Sequence, residues 1–135
     1  MRFETQVDLD RETKAIKTFC DKFNLQYQKL GDHDVDFKIL KDNSIITYVE
    51  VKGRLRNIDD CYPLPIAIRK VYKLCEVHKD PVIIWSCNDG LLYAKLKKLK
   101  GDIRQGGRTP RKGSHNDIEL MAYYNAQESI KTIKY

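Results

Sequence analysis

No stretch of the 135-residue chain stays apolar for anything near the ~18 residues that a membrane helix needs, so no span is expected. The opening "MRFETQVDLDRE" has no apolar core of the kind a secretory signal carries. Together the two absences predict an intracellular chain. No CxxC pair occurs among the four cysteines, Cys20, Cys61, Cys75 and Cys87. "CEVH" (75–78) has ligand-like spacing, but no second pair completes a zinc site. Reduced, mostly buried thiols are expected instead. No internal repeat is visible. Acids are nearly missing between Lys95 and Lys112, where Asp102 is the single carboxylate.

The composition, 41% hydrophobic and 33% charged, is that of a globular chain able to bury a core. The length predicts one domain: residues 1–100 form its body, and 101–135 add a basic loop with a last strand and short helix. Net charge is +6 and unevenly placed. Lys95, Lys97, Lys98, Lys100, Arg104, Arg108, Arg111 and Lys112 against Asp102 give that segment +7, so the other 117 residues sum to −1. One basic segment on a near-neutral body suits a binder of the phosphate backbone.

"DLDRETKAIKTFCDKF" predicts a helix, capped by Asp8 or Asp10, with Ile16, Phe19, Cys20 and Phe23 at helical spacing. Glu12 lies four residues before Ile16 and shares that apolar stripe, an unusual place for an acid. "LQYQKL", "VDFKIL" and "IITYVEV" predict three strands, the last two joined as a hairpin by "KDNS". Residues 62–79 predict a second helix with prolines at its start and an apolar stripe of Ile68, Val71, Tyr72 and Cys75. "PVIIWSC" and "LLYAKL" are strands around an "NDG" turn, with Trp85 in the core. "RQGGRTPRKGS" (104–114) holds no apolar residue and predicts an irregular loop. "IELMAYY" predicts a final strand, with a short helix after it. The order is that of a mixed α/β layer fold.

Side chains alternate along a strand. Ile46, Tyr48, Glu50 and Lys52 therefore share one face, and Asp36, Lys38 and Leu40 share one on the strand before. Hydrophobic registration requires Asp36 to oppose an even-numbered residue. A three-residue loop, Asp42 to Ser44, pairs Lys41 with Ile45 and sets Asp36 opposite Glu50, with Cβ atoms ~4.5–5.5 Å apart. Two carboxylates that close repel unless one is protonated or a cation lies between them. Magnesium (or manganese) suits two carboxylates, waters and a substrate phosphate, and the Val51 carbonyl adds a ligand. Lys52 is then placed to orient the attacking water and to steady a phosphate oxygen, the chemistry of phosphodiester cleavage. The tripeptide [DE]xK has little weight alone, since it recurs at Glu12, Asp36 and Glu50; the register, the odd placement of Glu12 and the basic segment supply the rest.

These residues resemble the PD-(D/E)xK nuclease superfamily. "VDF" (35–37) stands where that superfamily has its Pro-Asp motif, "EVK" (50–52) matches its second motif, and "RE" (11–12) resembles its first-helix acid. The resemblance spans about residues 8 to 95 and implies a restriction-endonuclease-like α-β-β-β-α-β core. It implies that Asp36, Glu50 and the Val51 carbonyl bind the metal, that Lys52 is the catalytic lysine and that Glu12 is an auxiliary acid. It also implies a basic residue on the second helix, for which Arg69 or Lys73 is the candidate. The spacing from Glu12 to Asp36 to Glu50 looks most like archaeal-type Holliday-junction resolvases; small phage-encoded nucleases are similarly compact. Val35 replaces the motif proline, and "GDHDV" puts His33 where several resolvases have a small hydroxyl residue. The expected partner is DNA, held by Arg54, Arg69, Lys73, Lys97, Lys98, Arg104, Arg108, Arg111 and Lys112 without base reading. A homodimer is expected from relatives that cut both strands. The competing expectation is a non-catalytic nucleic-acid-binding module on the same fold.

Overall fold

The structure is a computed structural model; it describes residues 5–31, 35–107 and 118–135. Helix α1 (Gln6–Phe23) is followed by strands β1 (Gln26–Lys29), β2 (Phe37–Lys41), β3 (Ser44–Gly53) and β4 (Leu64–Ala67), then helix α2 (Ile68–Val77). Strands β5 (Val82–Ser86), β6 (Gly90–Lys95), β7 (Asp102–Gly107), β8 (Ile118–Tyr124) and β9 (Lys131–Lys134) complete the chain. Six strands form one sheet in the order β1-β2-β3-β5-β6-β9, and β4-β8-β7 form a second. The β3–β5 pair is parallel and the others are antiparallel, so the central sheet is mixed. That is the mixed α/β, restriction-endonuclease-like arrangement the sequence implied. Among the described residues no helix is long and apolar enough to cross a membrane.

Helix α1 starts earlier than expected. Thr5 is its N-cap, and a reciprocal capping box with Asp8 satisfies the first turn, so Asp8 is the third helical residue rather than the cap. Asn24, in the left-handed region at φ 54°, ends the helix. The helix buries Ala15, Ile16, Phe19 and Cys20 against Phe37, Ile39, Val49, Ile84 and Leu91 on one face of the large sheet. Burial of each large side chain there contributes about 1.5–3 kcal/mol. Phe23 lies at the rim, 39% exposed, packed edge-on to Phe19 and Tyr93.

The opposite face of the large sheet carries α2 and the second sheet. Ile83, Trp85, Leu92 and Ala94 meet Leu64, Ile66, Leu74, Ala122 and Tyr124 there. β5 is therefore buried along its full length, as its uninterrupted apolar run required. Trp85 donates its indole N–H to the Pro65 carbonyl at 2.8 Å. Three of the cysteines are buried and Cys75 is exposed; all four are free thiols.

Several expectations need correction. Residues 64–67 are a strand, not the start of the second helix. Leu64 and Ile66 point inward while Pro63 and Pro65 alternate with them, and β4 is an edge strand, where proline's missing N–H breaks no ladder. The inner stripe of α2 is Ile68, Val71, Leu74 and Val77; Tyr72 and Cys75 face outward. Asp102–Gly107 is a strand, paired with β8 and ordered by Tyr123, whose ring lies under Arg104 and whose hydroxyl would collide with any side chain at Gly106. Residues 131–134 are a strand at the edge of the large sheet instead of a helix.

Candidate active site

The β2–β3 hairpin builds the site by a route other than the expected one. Asp42 and Asn43, at φ 51° and 65°, form a two-residue turn that pairs Lys41 with Ser44. Both positions require positive φ, which Asp and Asn tolerate better than other side-chain-bearing residues. Left alone, that turn would put the two faces out of step. A bulge between Ile39 and Leu40 restores them: Leu40 pairs with Ile45, Ile39 with Thr47, and Ile46 is the extra residue. The ladder then runs to Phe37 opposite Val49, which carries Asp36 to the level of Glu50. The loop length was misjudged, yet the register it was meant to produce is present.

Beyond Val49, β3 pairs with β5 alone. The vacated edge is filled by Asp36. Its carboxylate accepts the Val51 N–H at 2.8 Å, and its own backbone N–H donates to Glu50 Oε2 at 3.2 Å. These two bonds tie Asp36 to Glu50 and to Val51, with the acids at 3% and 6% exposure. In an extended chain a residue's N–H and C=O leave on the same edge. The Val51 carbonyl therefore emerges beside Asp36 too. Lys52, half-buried, is two residues on and shares the face of Glu50.

Burial pushes the Glu50 carboxyl above the usual carboxylate range, and the neighbouring Asp36 charge adds to the rise. Lys70, on α2, opposes both, with its ammonium 3.0 Å from Glu50 Oε1. Lys70 is the basic residue that α2 brings to the site, in place of the expected Arg69 or Lys73. Arg69 turns outward to Glu119 on β8 at 3.0 Å, and Lys73 makes no ion pair among the described residues. The sequence did hold a signal for Lys70: it lies four residues before Leu74 and seven before Val77, on the buried side of the helix. Placing the stripe on Tyr72 and Cys75 hid it.

Glu12 is 8% exposed and neutralised by Lys29 at 2.9 Å, whose ammonium also stands over the Phe37 ring. It is well past the first turn of α1, so the helix terminus does not account for it. The first half of α1 does lie over the end of β3: Arg11 reaches Gly53, and the Arg11 carbonyl accepts from Ser86 Oγ at 3.3 Å. The structure thus interlocks Asp36, Glu50 and Val51 and leaves Glu12 in an ion pair with β1.

The donor set is two buried carboxylates and one carbonyl. Among the described residues no group of three or more His, Cys, Asp and Glu is arranged to hold a metal ion. Two carboxylates with a carbonyl suit magnesium, which takes one or two carboxylates and keeps several waters. His78 of "CEVH" accepts the Asp80 N–H instead of serving as a ligand.

The expected DNA contacts divide. Arg54 turns back into the fold, donating to the carbonyls of Cys61 at 2.9 Å and Pro63 at 3.4 Å. Lys97 and Lys98 lie exposed in a short 3₁₀ turn after β6. Because Lys95 pairs with Val82, and Ser86 with Gly53, that turn leaves the sheet at the end opposite to Lys52. The β7–β8 hairpin runs back the other way, and its Glu119 reaches Arg69, next to Lys70. Arg104 is exposed on that hairpin, its guanidinium 4.3 Å from the centre of the Tyr123 ring. His33, Arg108, Arg111 and Lys112 lie outside the described residues.

Comparison with known proteins fits this geometry. Among curated proteins none matches the chain at a significant level. A family model described as "Phage putative PDDEXK endonuclease" matches residues 1–131, nearly the full chain and every site residue above. The chain belongs to this phage PD-(D/E)xK endonuclease family.

Proposed function

We propose that the protein is a magnesium- or manganese-dependent endonuclease that hydrolyses phosphodiester bonds of DNA. The observation that carries this reading is the pair of backbone–carboxylate bonds, Asp36 N–H to Glu50 and Val51 N–H to Asp36, that hold two buried acids side by side at the end of β3. Like charges kept together away from water are costly and are retained where a cation is to be held. Asp36, Glu50 and the Val51 carbonyl are the ligands in this reading. Bound there, the ion would polarise a phosphoryl oxygen and acidify a water. Lys52, on the face of Glu50, orients that water and contacts the phosphate. Glu12 stands as an auxiliary acid on α1. Arg104 and the basic residues after it hold the DNA backbone without reading bases. Branched DNA is a candidate substrate, and a homodimer would supply a second site for the other strand.

One observation favours a non-catalytic DNA-binding module: both Glu50 oxygens already have partners, Lys70 and the Asp36 N–H. A plasmid assay separates the two readings. The wild-type protein with magnesium is expected to nick supercoiled DNA. Glu50→Gln and Lys52→Ala should slow nicking by at least about a hundredfold while still shifting DNA in a gel. Binding without nicking by the wild type, on linear, flapped and branched substrates alike, would leave the module reading standing.

A further inference from the structure

Glu50 meets the protein's own cation. Its side chain is 7% exposed, and Lys70 Nζ lies 3.0 Å from Oε1. Oε2 takes the Asp36 N–H. Lys70 is held from the inner side of α2, one turn before the fully buried Leu74, yet 26% of its side chain remains accessible. Its neighbour Arg69 is 66% exposed and committed to Glu119. An ammonium on one oxygen of a buried carboxylate occupies a position from which a divalent ion would ligate. Two cations cannot share that oxygen at such depth without strong repulsion.

Resting on the reading of Asp36 and Glu50 as a divalent-ion site, we infer that Lys70 is a displaceable counter-ion. It neutralises Glu50 in the ion-free protein and gives up Oε1 when the ion enters. Ion binding and the Lys70–Glu50 pair exclude each other, so the lysine sets the ion affinity and keeps the empty site from being driven apart by its own charges. Once released, the ammonium lies at the rim of the site, where a phosphate oxygen is the available anion.

The test needs neither DNA nor turnover. Manganese binding is measured by titration calorimetry, and melting temperature is measured with and without saturating manganese. The proteins are the wild type, Lys70→Met and Lys38→Met. Lys38 lies on β2, two residues after Asp36, and is not ion-paired to Glu50, so its loss removes equal charge nearby. Lys70→Met should bind manganese about tenfold more tightly and gain more in melting temperature from the ion than the wild type. Lys38→Met should stay within about twofold of the wild type. Unchanged or weaker binding by Lys70→Met, or equal tightening by Lys38→Met, would overturn the inference. Should Lys70→Met not fold, Lys70→Gln, which keeps a neutral donor toward Glu50, is held to the same outcomes. Absence of manganese binding by the wild type would sink the metal-site reading itself, and the inference with it. Wild-type binding with no effect at Lys70 would sink the inference alone.

Discussion

Glu50 gives this fold one identifiable source of pH dependence. Its carboxyl is raised above the ordinary range by burial and by Asp36. In the window between the ordinary carboxylate pKa and that raised one, the folded protein holds a proton that the unfolded chain has released. Stability from this group is therefore present at the low end of the window and lost as pH rises through it. Above that window the ion-free Glu50→Gln variant, which has no carboxylate charge to bury, should melt higher than the wild type. The gap should narrow as pH falls through that window, which melts at a series of pH values would read directly. A constant gap would mean that Glu50 is ionised in both states. Saturating magnesium should shrink the gap, because only the wild type retains both carboxylates. The pairing of the acids was legible from alternation and apolar registration alone. The lysines were not. Lys29 and Lys70 reach Glu12 and Glu50 from elements distant in sequence; helical spacing puts Lys70 on the inner side of α2, but no local spacing names the acid it meets.

Among the elements, the β2–β3 hairpin shows how a correct register can arise from a wrong loop. Reading "KDNS" as a three-residue connection ignored the ease with which Asp-Asn enters the left-handed region twice, and strand alternation cannot reveal a bulge that restores the phase it seems to break. The turn offers a direct check. Asn43→Gly should stabilise the protein by a few tenths of a kcal/mol and Asn43→Val should cost about 1–2 kcal/mol, measured by denaturant unfolding. Nicking should change little in either, because both variants keep the two-residue turn and the bulge at Ile46 that together set the level of Glu50. β4 was missed for a different reason. "PLPIAI" has no helical period, but the adjoining α2 stripe made a longer helix the simpler reading, and an edge strand that holds Pro65 needs a partner, β8, that arrives some 55 residues later.

Across the full chain, charge placement is the property most easily read from sequence and most changed by folding. The run from Lys95 to Lys112 is contiguous in sequence, but the fold separates its parts. Lys97 and Lys98 leave the large sheet at the end away from Lys52, whereas Arg104 lies on a hairpin directed toward α2. Each phosphate contact contributes close to one unit to the slope of log affinity against log salt. Arg104→Ala should lower that slope by about one, and the double change Lys97→Ala with Lys98→Ala by less, despite removing twice the charge. Equal losses per charge would show that DNA wraps both ends of the sheet. The general plan was visible early, because an α1 stripe, a hairpin and a wholly apolar β5 leave few ways to layer the chain. The second sheet was not, since its strands come from three separated segments.

Trp85, the chain's single tryptophan, is paired in the β3–β5 ladder with Lys52 and donates its indole hydrogen to the Pro65 carbonyl of the second sheet. The one indole thus bridges the large sheet beside Lys52 and the layer packed upon it. Its emission should report, without any label, whether the two sheets stay docked when manganese or DNA is added.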